Sequence, residues 1–530
     1  MATFTSKATG NWDAEGTSTW NEANHPIAGD IVTVQNGHTI TLDSATACTT
    51  LTIDTGGVLT DATNNQGLIV SGLTEVTGTL TCGTAAMSFG SGIVTTTYSL
   101  ILNNTGIFIG GSGTHTIGSF CGGTGSNVTY TSGVMTLDGE NTSAGAVQIL
   151  SNSMTFDDGN GTVTCIYTGD DTIFDMGGET HYNLIINAAA TIYTLRDSGI
   201  FANDLTITAG TFDTGTDNLT VTGITSVTGT LNCNASTCSF GSGVTNNFAL
   251  TVIGTFNGGS GTHTMGSVFL DNGTATFTSD VTTLDSRQLS SVAFGTENGT
   301  FNHGSGTVTF TMANYQLIYD LTNTAKTFYN LIINKASNLV QFSNNSGYTL
   351  TIANDLTITS GEFNTSERTG GASRDLIVTG SLLNSGTFTP NASLVTLNGT
   401  AQSLTGSWTF WSFTKTIGVT DKLTFDNTAA YTFGGNVTLT GVSGGLLSLA
   451  SDSTGDAFDF IMSAGAVKTS LTYLAVKDSD ASSSDASHKP ITPTNSTDVS
   501  GNTDWFGATP VIVTTGKGGL KLKRIIIDGI

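Results

Sequence analysis

Residues 205–231 read LTITAGTFDTGTDNLTVTGITSVTGTL. Apolar residues and Thr alternate over short runs, and each run breaks at Gly, Asn or Asp. A period of two puts every second side chain on one surface of a strand, and the Gly/Asn/Asp clusters mark the turns between strands. The wording recurs along the chain. VTGTL at 76–80 returns at 227–231, and SFGSG at 88–92 returns at 239–243, each 151 residues on. GGSGTHT at 110–116 returns at 258–264, YNLIIN at 182–187 returns at 329–334, and ANDLTIT at 202–208 returns at 353–359. LIVSG at 68–72, LTVTG at 219–223 and LIVTG at 376–380 open three units, of which the third is the most divergent. Many short strands, uniform turns and no linker between copies predict an all-β chain folded as an elongated parallel β-helix (β-solenoid) with capped ends, not a stack of sandwiches. Thr, Asn and Gly at matching positions are then expected to stack from rung to rung. At about 20–25 residues per coil, residues 30–475 make roughly twenty rungs, a rod on the order of 100 Å at the ~4.8 Å strand spacing.

Composition excludes the competing classes. Of 530 residues, 67 are Gly and 5 are Pro, and none between Pro26 and Pro390 is Pro, as strands paired on both sides require. Charged residues make up 11%, against about 25% in an ordinary domain. With 40 acidic and 16 basic residues the formal charge is −24, which argues against nucleic acid as a partner. No run of apolar residues is long enough to span a membrane, so no membrane insertion is expected. A hydrophobic content of 37% argues against disorder.

The repeats and composition shifts divide the chain into six parts. Residues 1–66 are an N-terminal cap and first coils, 67–218 and 219–375 are repeat units, and 376–477 is a divergent unit. Residues 478–504, rich in Ser, Thr and Asp and carrying Pro490 and Pro493, read as a linker. Residues 505–530 read as an attachment or oligomerisation segment, in which Lys517, Lys521, Lys523 and Arg524 concentrate basic charge. All five Trp (Trp12, Trp20, Trp408, Trp411 and Trp505) lie near the ends or in the divergent copy, where large aromatics can cover terminal rungs.

Duplication separates structural from functional residues, because a single active site should use residues that are not copied. His115 and His263 occupy identical GGSGTHT loops and read as turn histidines bonded to their neighbours, too far apart to share an ion. Cys48, Cys82, Cys121, Cys165, Cys233 and Cys238 show no paired spacing and read as reduced, buried thiols. Cys233 repeats Cys82, and Cys238 replaces Met87, a core-type interchange. Asp204 and Asp355 read as turn carboxylates that cap backbone donors. One acidic cluster is confined to the first copy: Asp170, Asp171, Asp175 and Glu179, with His181. Paired carboxylates on adjacent rungs are the chemistry of glycosidic hydrolysis, while solvated turns attract Asp for ordinary reasons. A lengthened loop near NTSERTGGASRD offers Glu367, Arg368 and Arg374 as a binding contact. No metal site and no cofactor are expected.

The opening NWDAEGTSTWNEANHPIAGDIVTVQNGHTITLD resembles that of the eight-glycine domain of some cell-surface and hyaluronan-associated proteins, through Trp12, Trp20, Pro26, Gly29, Asp30, Gly37, Leu42 and Asp43. Similar openings head β-helical fibre-like proteins of tailed phages and environmental bacteria, and AVKDSDASSS…NSTDVSGNTDWFG is similar to the ends of such proteins. The resemblance covers about 60 residues at the two ends, implies a β-helix with carbohydrate or cell-surface contact, and transfers no catalytic residue.

The opening residues lack the basic-then-apolar order of a secretory signal. Together these readings predict a virion structural protein of a tailed phage: a fibre- or spike-type β-helix, assembled in the host cytoplasm, that attaches to host surface polysaccharide. A homotrimer in contact with other virion proteins is expected. One alternative is a bacterial cell-surface adhesin, placed outside the cell. Another is a polysaccharide depolymerase, a lyase or hydrolase, which would use the acidic cluster. An enzyme is the less favoured reading.

Overall fold

The computed structural model describes residues 1–149, 154–244, 246–286, 291–312, 314–320, 326–342, 349–368 and 372–507. The strand pairings are parallel throughout and wind the chain into a β-solenoid of about 19 turns among the described residues. Two compact units divide it, residues 1–323 and 324–530. No described helix is long and apolar enough to cross a membrane.

In the first unit each coil contributes one strand to each of three faces. The second face shows how alternation becomes a core. Thr46–Cys48, Leu68–Val70, Met87–Phe89, His115–Ile117, Val134–Leu137 and Thr162–Cys165 follow one another in register. Cys48, Val70, Phe89, Ile117, Leu137 and Cys165 therefore form one inward column, and every member is buried. Residues between them, such as Ser88 and Thr116, face outward. Each apolar side chain sits on the one below, which supplies the burial that a lone strand lacks. Rung-to-rung stacking of like polar residues is also present. Asn203 donates to Asn183 at 2.9 Å and Asn257 donates to Asn232 at 2.9 Å. Asp204 and Asp355 accept the backbone N–H groups of Ile224 and Ser381, each at 2.7 Å, and so hold the turns as expected.

The 151-residue repeat is not a whole number of coils. Along the second face, seven steps lead from Leu68–Val70 to Thr225–Val227. The sequence counterpart of Thr225–Val227 is Thr74–Val76, which lies on the first face. The counterpart of Leu68–Val70 is Leu219–Val221, on the third. The second copy thus begins one face round from the first.

The N-terminal cap is an aromatic plug. Trp12 and Trp20 are fully buried, and their rings meet edge to face at 5.5 Å. Trp20 Nε1 donates to Trp12 O at 2.9 Å, and Trp12 Nε1 donates to Pro26 O at 3.2 Å. The second unit also has three faces. Residues 478–504, expected as a linker, instead complete its last coil. Ser479–Asp480 pairs with Phe458–Asp459, and Thr497–Ser500 pairs with Ala475–Lys477. Their polar composition reflects a terminal coil whose strand is exposed and whose turns are closed by its own side chains, as where Asp485 accepts from Ser487 N at 2.9 Å. Trp505 is buried against Phe460 at 5.0 Å.

Candidate functional site

An open groove of about 660 Å³ runs along the second face beside the N-terminal cap. Its floor is the outward column Ala47, Ile69, Ser88 and Thr116, one residue per rung. Its wall is the loop His25–Pro26–Ile27–Ala28. Asp30 sets that wall, because its carboxylate accepts from Ile27 N at 3.2 Å and from Ala2 N at 2.7 Å. Ile69 and Ile27 are 55% and 59% exposed, and they face this space beside Pro26. Ser44, Thr46, Ser88, Thr114 and Thr116 bring hydroxyls to the lining. The lining holds one titratable side chain, His25, whose Nδ1 lies 3.0 Å from Glu15. A mainly aliphatic surface edged by hydroxyls suits an amphipathic ligand held by shape and hydrogen bonds. It offers no carboxylate pair for acid–base chemistry.

The acidic cluster of the first copy does not form one constellation. Asp170 and Asp171 lie exposed before the strand Thr172–Asp175, and Asp171 accepts from Ile192 N at 3.0 Å. Glu179 lies half-buried in the following turn. Asp175 is buried, accepts from Gly177 N at 3.1 Å, and has Arg196 3.6 Å away. Burial raises its pKa above the usual carboxylate value. It belongs to a polar column on the first face: Cys121, Gln148, Asp175 and Arg196 stack in register. Gln148 Oε1 accepts from the Tyr98 hydroxyl at 3.2 Å and from the Cys121 thiol at 3.9 Å.

His181 points the other way, into the core. It is 1% exposed, both ring nitrogens lack a partner, and burial pushes its pKa down to about 3. The rings of Phe156, Tyr130, Phe174 and Phe201 surround it at 4.8, 5.7, 5.7 and 6.4 Å.

His115 and His263 are likewise core residues and not turn residues. Each begins a strand, is fully buried, and places Nε2 2.6 Å from a carbonyl five residues earlier, Gly110 O or Gly258 O. The glycines of GGSGTHT turn the chain so tightly that the next residue regains inward register. Gly111 and Gly259 sit at φ +65° and +67°, where a side chain would meet the backbone of the preceding rung. All six cysteines are free and buried.

The expected contact loop is largely consumed by the fold. Glu367 and Arg374 are buried and paired with each other, while Arg368 is exposed. A buried charge needs a compensating partner, and each of these two side chains supplies the other's. Lys517, Lys521, Lys523 and Arg524 lie outside the described residues.

The groove itself escaped sequence reasoning, although one signal points to it. LIVSG at 68–72 puts Ile69 at the outward position that Thr220 fills in LTVTG. An apolar residue out of phase with the alternation marks a covered or ligand-facing spot. No protein-family model matches the chain, and neither does any curated protein or solved structure.

Proposed function

We propose that the chain is an attachment protein of the fibre type, carried on the virion of a tailed phage, and that the groove beside its N-terminal cap takes a surface glycan. The observation that carries this reading is the chemistry of the groove lining: Ile27, Pro26 and Ile69 for the apolar face of a sugar ring, with hydroxyls of Ser88, Thr114 and Thr116 at hand for its rim. Pyranose rings have both kinds of surface. A solenoid with free, buried thiols suits assembly in a reducing host cytoplasm. The N-terminal resemblance, which includes Pro26 of the groove wall and Asp30 that holds it, points the same way. Trimerisation and contact with other virion proteins belong to this reading.

The test is binding of the full chain to purified bacterial surface polysaccharides, with polysaccharide viscosity followed in parallel. Binding without loss of viscosity is expected, and Ile69→Arg should weaken it at least about tenfold while leaving the thermal midpoint in place. Equal binding by Ile69→Arg would move the site elsewhere, and falling viscosity would replace attachment by depolymerisation. Electron microscopy of virions labelled with antibody to the chain tests the location.

A further inference from the structure

The floor of the groove continues past its wall. Ser88 and Thr116 stand in register, and the same outward column runs on through Thr136 and Thr164. All four side chains are half-buried on the outer surface. Among the described residues, no hydrogen bond to a protein group engages any of their hydroxyls. Ile69 precedes this run and Ile185 follows it in the same column. At the ~4.8 Å strand spacing, the steps from Ile69 to Ile185 cover about 24 Å of the face. Two residues back on the same strands, and so on the same side, stand Thr114, Val134 and Thr162. The surface is a strip of hydroxyls and methyls. Asp138, two residues on from Thr136, is already engaged by Gly92 N at 2.8 Å and by the Ser91 hydroxyl.

The first face shows that this is not the only material an outward column can have. There Glu75, Ile101, Cys121, Gln148, Asp175 and Arg196 follow one another. Charge narrows the occupant of the strip further. Between Lys7 and Arg196 the chain has no Lys or Arg, and its formal charge is −24. An anionic polymer finds no counter-charge here and is repelled by the whole. An uncharged chain of pyranoses in extended form advances by close to one rung per sugar. Its hydroxyl edges can meet the ladder, and its apolar ring faces can meet the methyls of Thr and Ile.

We propose that the groove is one end of a track for a linear, uncharged polysaccharide, which lies lengthwise from Ile69 over Ser88, Thr116, Thr136 and Thr164 to Ile185. The proposal rests on the glycan reading of the groove and adds the class of glycan and its direction. The second copy contains a comparison. Ser239, Thr264, Thr283 and Thr309 repeat the ladder in register. Thr220 stands there in the place of Ile69, while the cap loop His25–Ala28 lies beside the first ladder. The second ladder thus has the hydroxyls without the apolar anchor.

The test is calorimetric titration of the full chain with linear β-glucan and β-galactan fragments of two to eight sugars, beside oligogalacturonates of the same lengths. Affinity for the neutral fragments should rise about tenfold from two sugars to six and then level off, and the oligogalacturonates should not bind. Thr164→Arg should abolish that rise and leave two-sugar binding in place, whereas Thr309→Arg should change nothing. Both residues face outward, so neither change opens the core. Affinity independent of length, or a full rise in Thr164→Arg, would overturn the track and leave the groove reading standing. Length-dependent binding that survives Ile69→Arg would instead strike the groove as its anchor. Failure of every neutral fragment to bind, or tighter binding of oligogalacturonates, would overturn the uncharged class.

Discussion

Two columns occupy equivalent places in the two sequence copies and are built from opposite materials. In the first copy Tyr98, Cys121, Gln148 and Asp175 stack on the first face, tied by hydrogen bonds and closed by Arg196. In the second copy Phe248 and Phe269 take the places of Tyr98 and Cys121, and their rings stack at 4.7 Å. Gly295 takes the place of Gln148, in register with Phe269. The core column differs in the same sense. Tyr130, Cys165 and His181 correspond to Phe277, Phe310 and Phe328. The turns and the alternation survived duplication because every rung needs them to wind. Side chains that neither make the turns nor set the alternation diverged, in the core as well as outside it. One copy bears the desolvation of a buried His and a buried Asp, where the other rests on aromatic packing.

Acid should part the two copies most strongly. The folded value for His181 lies near 3, below the ordinary 6.5, so the unfolded chain takes up the proton first. Stability from the neutral buried ring is complete above pH 6.5 and drains as pH falls toward 3. Between pH 6.5 and 3.5 this group alone should cost roughly 4 kcal/mol. His181→Phe, the residue type of the second copy, should flatten that part of the pH–stability curve in urea titrations. An unchanged slope would show that His181 is not held neutral.

The aromatic column should be the more sensitive to volume. A Cβ on Gly295 would lie 2.9 Å from Phe269 Cδ2 and 3.1 Å from Val292 Cγ1. Gly295→Ala is therefore expected to cost about 1–3 kcal/mol in thermal unfolding and to disturb the near-ultraviolet circular dichroism of phenylalanine. In the polar column Gln148→Ala removes the acceptor shared by Tyr98 and Cys121, an expected loss of about 1 kcal/mol. Asp175→Asn should have the smallest effect. Burial raises the Asp175 pKa, so its charge opposes folding as pH rises past the ordinary carboxylate value of 3.8. Loss of the Arg196 contact offsets the relief, and a net gain under about 1 kcal/mol at neutral pH is expected. A large loss would show that the ion pair holds the column together.

Much of this architecture was legible in the residues. LTVTGITSVTGTL contains both the strand period and the turn positions, and ANDLTIT announces the Asp204 and Asp355 caps through residue type alone. His115 and His263 were harder to place. A His after Gly-Ser-Gly-Thr reads as a turn residue, and only the wound backbone shows it entering the core. Glu367 and Arg374 read as loop charges for a similar reason, since pairing between side chains leaves no mark in composition.

The amino-acid sequence alone determined a parallel β-solenoid, its repeats and its capped start, because alternation, turn chemistry and duplication are local properties written in order along the chain. Only the tertiary structure decided which residues share a face. Rungs run from 18 residues, as from Leu250 to Val268, to 30 or more, as from Gly10 to Ile40. Turn lengths that vary by several residues leave the strand pattern intact while changing how many strands complete a circuit. The second copy therefore starts one face round from the first. That rotation puts the polar and aromatic columns on different sides, and the winding gathers Ala47, Ile69, Ser88 and Thr116 into one groove floor.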